Sequence, residues 1–159
     1  TNIKSQVNPG QIVYEDIYKM QISTIDYDVQ LFKDKFDDFI TACKKNDIAS
    51  IKNLLKYVHL EDRTKEGWTP LIVACYNNSL AAAAFLLKKG ADVNACNYKG
   101  TSVLMYAKEA ALNSGSYGII DIVLKYSPDI FSRDQFNKTV FDYLKNQSPE
   151  MEDYIKKKV

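Results

Sequence analysis

Apolar side chains in this chain fall at spacings of three and four, the interval that gathers residues onto one face of a helix. Phe36, Phe39, Ile40 and Cys43 make one such set, and Ile48, Ile51, Leu54 and Leu55 make the next. Leu86 and Leu87, beside the small residues Ala81 to Ala84, mark a helix that its neighbours can approach closely. Ile119, Ile120, Val123 and Leu124 mark another. Met151, Tyr154 and Ile155 would form the inner face of the last, with Glu152, Asp153 and the lysines outside. Polar or glycine-bearing breaks separate the sets at Asn46-Asp47, Gly90, Asn113 to Gly118 and Ser127-Pro128-Asp129. The pattern predicts short helices in antiparallel pairs, eight or fewer, and no continuous sheet.

Helix ends are legible as well. Thr69 can accept from a free N–H of the first turn, and Pro70 loses no hydrogen bond at the first helical position. Ser102 stands before Val103 in the same way, and Ser148-Pro149-Glu150 supplies a cap, a proline and a first-turn acid. Gly90 falls where the chain must leave a helix through the left-handed region, which glycine enters without strain. These signals recur at an interval. Gly67 and Gly100 lie 33 residues apart, as do Thr69 and Ser102, while Ser102 to the corresponding Thr139 takes 37. The extra four residues are expected in the turn Asn113 to Gly118, whose Gly and Ser are loop residues.

Gly67-Trp68-Thr69-Pro70-Leu71, followed by Leu86 to Asn94, resembles an ankyrin repeat, whose opening is T-P-L-H-x-A within a period of about 33 residues. Ile72 stands where that family has His, and Ala74 keeps the alanine. A preceding copy aligns Ala42-Cys43 on Ala74-Cys75 but has neither the opening nor the Gly-Ala-Asp-Val-Asn ending. The third copy carries Val103 for the proline and Ser127-Pro128-Asp129-Ile130 for the ending, and a fourth, from Asn137, is truncated. The resemblance implies an all-α ankyrin-repeat solenoid of stacked helix-turn-helix pairs with protruding loops over residues 35–159. Its repeats would span about 35–63, 64–96, 97–133 and 134–159.

Residues 1–34 lie outside that resemblance. Asn8-Pro9-Gly10 is a turn signal. The stretch Gln11 to Ile25 fits neither period cleanly: Ile17, Met20 and Tyr14 could share a helix face, and Tyr18, Met20 and Ile22 a strand face. It reads as an N-terminal arm, a linker or the end of an upstream domain. As an arm it would cover the open end of the stack, where a core is otherwise exposed. The chain opens on Thr1 and not on Met, as a fragment of a longer protein would.

Composition narrows the functions. A formal net charge of +1 leaves no broad basic face for nucleic acid, and Lys156-Lys157-Lys158 reads as a solvated end. No apolar run approaches the roughly 18 residues of a membrane span, and no signal peptide opens the chain. Three cysteines without a C-x-x-C pair suit a reducing, cytoplasmic setting. Cys43 and Cys75, equivalent in successive copies, are expected in the core, and Cys96 in a loop. The single histidine, His59, has no ligand or nucleophile at useful spacing. Gly115-Ser116-Tyr117-Gly118 has no Gly-Lys-Ser/Thr, so it is not a phosphate loop. Asp37-Asp38 and Glu152-Asp153 are consecutive on helices and point apart. No catalytic residue, cofactor or metal is expected.

The resemblance implies a non-catalytic, monomeric module that binds a protein partner on a concave face of loop tips and first helices. By register, Lys65, Glu66 and Trp68 belong to the tip of copy two, and Tyr76 and Asn77 to its first helix. Tyr98, Lys99 and Thr101 belong to the third tip, and Gln135, Phe136 and Lys138 to the fourth. Trp68, Tyr76, Tyr98 and Phe136 would then form a row of aromatic anchors, the residues that dominate interface energies. The competing expectation is that Trp68 and Phe136 fold back over the hairpin base. Two further readings are a regulatory or targeting domain fused behind an upstream enzyme, and a spacer with no ligand.

Overall fold

A computed structural model describes residues 9–159, and the side chains from Ile17 onward with Tyr18 excepted. Eight α-helices follow one another among the described residues: α1 Pro9–Lys44, α2 Ile48–Leu54, α3 Pro70–Tyr76, α4 Leu80–Lys88, α5 Val103–Ser114, α6 Gly118–Leu124, α7 Val140–Gln147 and α8 Pro149–Lys158. A 3-10 turn, Leu55–Tyr57, extends α2, and among the described residues the β-pairing is a single isolated bridge between Cys96 and Ser102. The helices pack in two rows. In the inner row α3 lies between α1 and α5, and α7 follows α5; in the outer row α4 lies between α2 and α6, and α8 packs on α7.

Five of the helices, α2, α3, α5, α7 and α8, begin at a residue whose side chain caps them. Thr69 Oγ1 accepts from the Ile72 amide at 3.4 Å, Ser102 Oγ from Met105 at 3.3 Å, and Ser148 Oγ from Met151 at 3.2 Å. Thr139 goes further, since Asp142 returns a bond to the Thr139 amide at 2.9 Å and closes a capping box. Asn46 and Asn78 make the tight turns inside the first two pairs, both at positive φ, a region asparagine tolerates. Between the rows Phe39, Ile51, Leu71, Ile72, Leu86, Leu104, Ile119, Ile120, Leu144 and Ile155 are almost wholly excluded from water. Each such side chain contributes about 1.5–3 kcal/mol of burial. Cys43 and Cys75 lie in this core as expected, and burial pushes both thiols up to about 12.

Three expectations are corrected. The four extra residues of the third copy do not lengthen a loop. They lengthen α5 to 12 residues against 7 in α3, and the turn after it is as short as its counterpart. Glu152 does not sit outside: it is buried and paired with Lys156 at 2.7 Å. The third concerns the segment before residue 35. From Pro9 onward it is helical and runs without a break into the first pair as part of α1. Pro9 and Gly10 open the helix in place of a turn, and Asn8 lies outside the described residues. Its described part does not cover the stack: from Lys19 to Asp34 every residue is exposed. No glycine or proline interrupts α1 after Gly10, so nothing in the backbone stops it where the resemblance begins.

Candidate functional site

Three loop tips project from the inner row, and one hydrogen-bond pattern builds them all. Thr64, Asn97 and Asp134 each donate their amide to the carbonyl four residues on, at Trp68, Thr101 and Lys138, all at 3.0 Å. Inside each loop the amide of Gly67, Gly100 or Asn137 returns to the carbonyl three residues back. The result is a three-residue hairpin whose last residue is left-handed, with φ of 83, 76 and 58°. The tips are tied together by side chains and backbone. Arg63 Nη1 donates to the carbonyls of Gly67 and Cys96, and the Gln135 amide donates to Lys99 O at 2.9 Å.

This pairing fixes a register that differs from the expected aromatic row. Trp68 corresponds to Thr101 and Lys138, whereas Tyr98 corresponds to Lys65 and Gln135, and Phe136 to Glu66 and Lys99. The row therefore breaks into separate features. Tyr98 lies flat over the preceding tip: a Cβ on residue 67 would come within 2.7 Å of its ring, so glycine is required there by space as well as by φ. Its outer face remains free, at 72% exposure. Phe136 is also exposed at the fourth tip, with Lys65, Lys99 and Gln135 exposed on the tips around it. Thr101 is half-buried, and exposed Lys138 places its ammonium 5.4 Å from the Tyr143 ring.

Trp68 is half-buried against the core, at the base of its tip. Its ring meets Tyr76 edge-on at 5.2 Å and Tyr106 at 4.9 Å, and those two meet at 5.8 Å. Tyr106, absent from the expected site, completes this cluster because α5 places it one repeat after Val73. Its hydroxyl accepts from Asn97 Nδ2 at 2.9 Å, and burial pushes its pKa up. The only sequence signal for it was a tyrosine on the inner face of the third first-helix.

Beside the cluster opens a cleft of about 420 Å³. Its floor is Ile40, Trp68, Val73 and Tyr76, and its rim is Lys44, Thr64, Glu66 and Asn77. A neighbouring cleft of about 620 Å³ shares Ile40, Thr64 and Glu66 and adds Lys33, Phe36, Asp37 and Arg63. Together they form one groove between α1 and the second tip. Of the expected residues the groove unites Lys65, Glu66, Trp68, Tyr76 and Asn77. It leaves Tyr98, Lys99, Thr101, Gln135, Phe136 and Lys138 on the tips outside it. The α1 wall was missed because the resemblance supplied only tips and the helices following them.

Further along the inner row the surface turns polar. Lys108 is buried, its ammonium held by the Glu109 carboxylate and by Gln147 Oε1 at 2.9 Å, 5.1 Å from the Tyr143 ring. Tyr143 donates its hydroxyl to Asp134 and is pushed up to about 12, chiefly by that bond. Partial burial alone would raise the Asp134 carboxyl. The bonds from Tyr143, Lys138 and Phe136 outweigh it and hold the carboxyl below its ordinary range. This network locks the fourth tip to α7.

Among the described residues no group of three or more His, Cys, Asp or Glu could hold a metal ion, and no helix is long and apolar enough to cross a membrane. The family model described as ankyrin repeats (3 copies) matches residues 39–134, more than half of the chain.

Proposed function

Because this chain belongs to the ankyrin-repeat family, whose members are generally non-catalytic modules for protein–protein interaction, we propose that it binds a protein partner in the groove between α1 and the second loop tip. The observation that carries this is the Trp68–Tyr76–Tyr106 cluster beside a cleft already open in the free chain. Aromatic rings fixed against a core cost little further entropy on binding, and such rings are the usual centres of interface energy. An apolar floor with Lys44, Glu66 and Asn77 on the rim has the make-up of a pocket for one large side chain, with polar groups to orient its backbone. The exposed rings of Tyr98 and Phe136 extend the same concave side toward the fourth tip. A cytoplasmic setting agrees with the cysteine content.

The test uses Tyr76→Ala, whose ring is about half exposed and whose loss should leave the stack folded. A partner captured with the wild-type chain and identified by cross-linking from Tyr76 should bind the variant weaker by about 2 kcal/mol or more. Equal affinity for the variant would remove the groove from the interface. A weakening by Tyr98→Ala alone would move the interface out to the tips.

A further inference from the structure

At each junction between loop tips, the turn glycine of the leading tip faces the tip that follows. A Cβ on Gly100 would come within 3.1 Å of Asp134 Cα and 3.4 Å of Arg133 O, and Lys99 O, one residue earlier, accepts from the Gln135 amide at 2.9 Å. Gly67 lies in the same way against the Tyr98 ring. The first repeat has no such tip to offer. Aligning Ala42 on Ala74, a shift of 32 residues, sets positions 32–36 against Thr64–Trp68. Those positions are helical and belong to α1. One apolar line, Ile22, Ile25, Val29, Phe32, Phe36, Phe39 and Cys43, runs along α1 through them in steps of three and four. The chain therefore passes straight on where later copies turn back in a hairpin. What remains is the cleft of about 620 Å³, with Lys33, Phe36 and Asp37 of α1 on one side and Arg63 to Glu66 of the second tip on the other.

We propose, resting on the reading of this groove as the partner site, that the cleft takes a tight turn of the partner's chain: a hairpin loop with glycine at its left-handed position, seated where the first tip is missing. It continues the interface that the tips already make with one another. The residues that the third tip touches on the fourth are Arg133, Asp134 and Gln135. Their counterparts on the second tip are Arg63, Thr64 and Lys65, and all of them line the cleft. The backbone donor is free. Among the described residues neither the Lys65 nor the Glu66 amide has a partner in the chain. Asn97 and Asp134 take up the amides of Lys99 and Phe136, but Thr64 Oγ1, in their place, bonds to the Trp68 amide at 3.2 Å. The Lys65 amide donates to the carbonyl before the partner's glycine, as Gln135 donates to Lys99 O, and the glycine lies on Thr64 as Gly100 lies on Asp134. Such main-chain pairing gives affinity, and the flanking side chains give specificity. Lys33, Arg63 and Lys65 outnumber Asp37 and Glu66 around the cleft, so an acidic residue beside the glycine suits it.

The probe is a cyclised hairpin peptide with the sequence Thr64-Lys65-Glu66-Gly67-Trp68, the chain's own turn with an acidic residue before its glycine. Added to the isotope-labelled full chain, it should move the Lys65 amide resonance and slow that amide's exchange with water at least about tenfold. The same peptide with valine for its glycine should leave the resonance in place, because the turn needs a positive φ and no Cβ. On the chain, Lys65→Pro removes the donor and suits the second position of the turn, and should weaken the peptide at least about tenfold. Lys65→Ala keeps the amide and should retain most of the affinity. Should Lys65→Pro lower the melting temperature, the Lys65 amide of the unaltered chain still decides. A resonance unmoved up to the solubility limit of the peptide would overturn the proposal, as would equal binding of the valine peptide. The reading of the groove fails separately. A captured partner weakened by Tyr76→Ala, but held equally by Lys65→Pro and Lys65→Ala, keeps the groove as the partner site and overturns the seated turn alone.

Discussion

The second helix pair, α3 with α4, turns Val73 and Cys75 toward its neighbours; the third, α5 with α6, has Tyr106 and Lys108 at those positions, 33 residues on. All four are buried. Cys75 is wholly enclosed as a small apolar side chain in a core of leucine, isoleucine and alanine. Lys108 occupies the equivalent place but reaches forward to Gln147 and the Tyr143 ring of α7, with Glu109 beside it. The repeat fixes the turn and the direction of a side chain, while the following pair decides its polarity. Where that pair offers an amide oxygen and a ring face, a lysine can be buried; where it offers methyl groups, it cannot.

The turns show a second contrast. Asn46 Oδ1 accepts from the Ala82 amide of the next pair at 2.8 Å, whereas buried Asn78 Oδ1 has no partner among the described residues. The pair that would supply one carries the lengthened α5.

Exchanging the two chemistries should have the largest effect. Cys75→Lys places an ammonium in the apolar core without the acceptors that serve Lys108, and should cost about 3–5 kcal/mol or prevent folding. Lys108→Met, an apolar side chain of similar length, should stay within about 1.5 kcal/mol of wild type. Urea midpoints measure both, and a tolerated Cys75→Lys would show that the second pair can bend the amine out to water.

Next come truncations in the shared core. Leu86→Ala in the second pair and Ile120→Ala in the third should each lower stability by about 2–5 kcal/mol, since both residues are fully enclosed. A loss confined to one of them, read from denaturant midpoints, would mean that the two pairs are not one cooperative stack.

The helix exits offer a smaller effect of opposite sign in the two pairs. Gly90 has φ 101° with open space where a side-chain methyl would point, while the equivalent Ser127 already carries a side chain at φ 53°. Gly90→Val should cost about 1–2 kcal/mol through backbone strain alone. Ser127→Gly should be neutral or gain up to about 1 kcal/mol. Thermal melts of the two variants that moved in the same direction would contradict the shared exit.

The smallest effect is a pH dependence confined to the fourth tip. The Asp134 carboxyl is held below its ordinary value, so its contribution is present above about pH 4 and fades as the pH falls through the lower folded value. Tyr143, pushed up to about 12, acts in the other direction: its contribution is complete below about pH 10 and is lost as the pH rises toward 12. Urea midpoints across the acid range should lose part of their slope in Asp134→Asn. An identical acid limb in that variant would show that Asp134 does not stabilise the folded tip.

Local chemistry along the chain dictated where the helices begin and end. Thr69, Ser102, Thr139 and Ser148 cap because a hydroxyl beside a helix start needs no distant partner, and Gly67 and Gly90 are left-handed because few other residues are comfortable there. The period of 33 followed from these same marks, and with it the two rows of helices. Tertiary structure decided what depends on neighbours. Whether four extra residues become loop or helix was settled by the packing of α5 between α3 and α6, despite the Gly and Ser in the stretch. Trp68 became the base of an aromatic cluster and not a free tip, because Tyr106 comes from the next repeat. The line Ile22 to Cys43 was present in the chain throughout, and its spacing specified one continuous helical face. That half of this face would be buried and half left to water depended on where α2 and α3 end, which no spacing along α1 records.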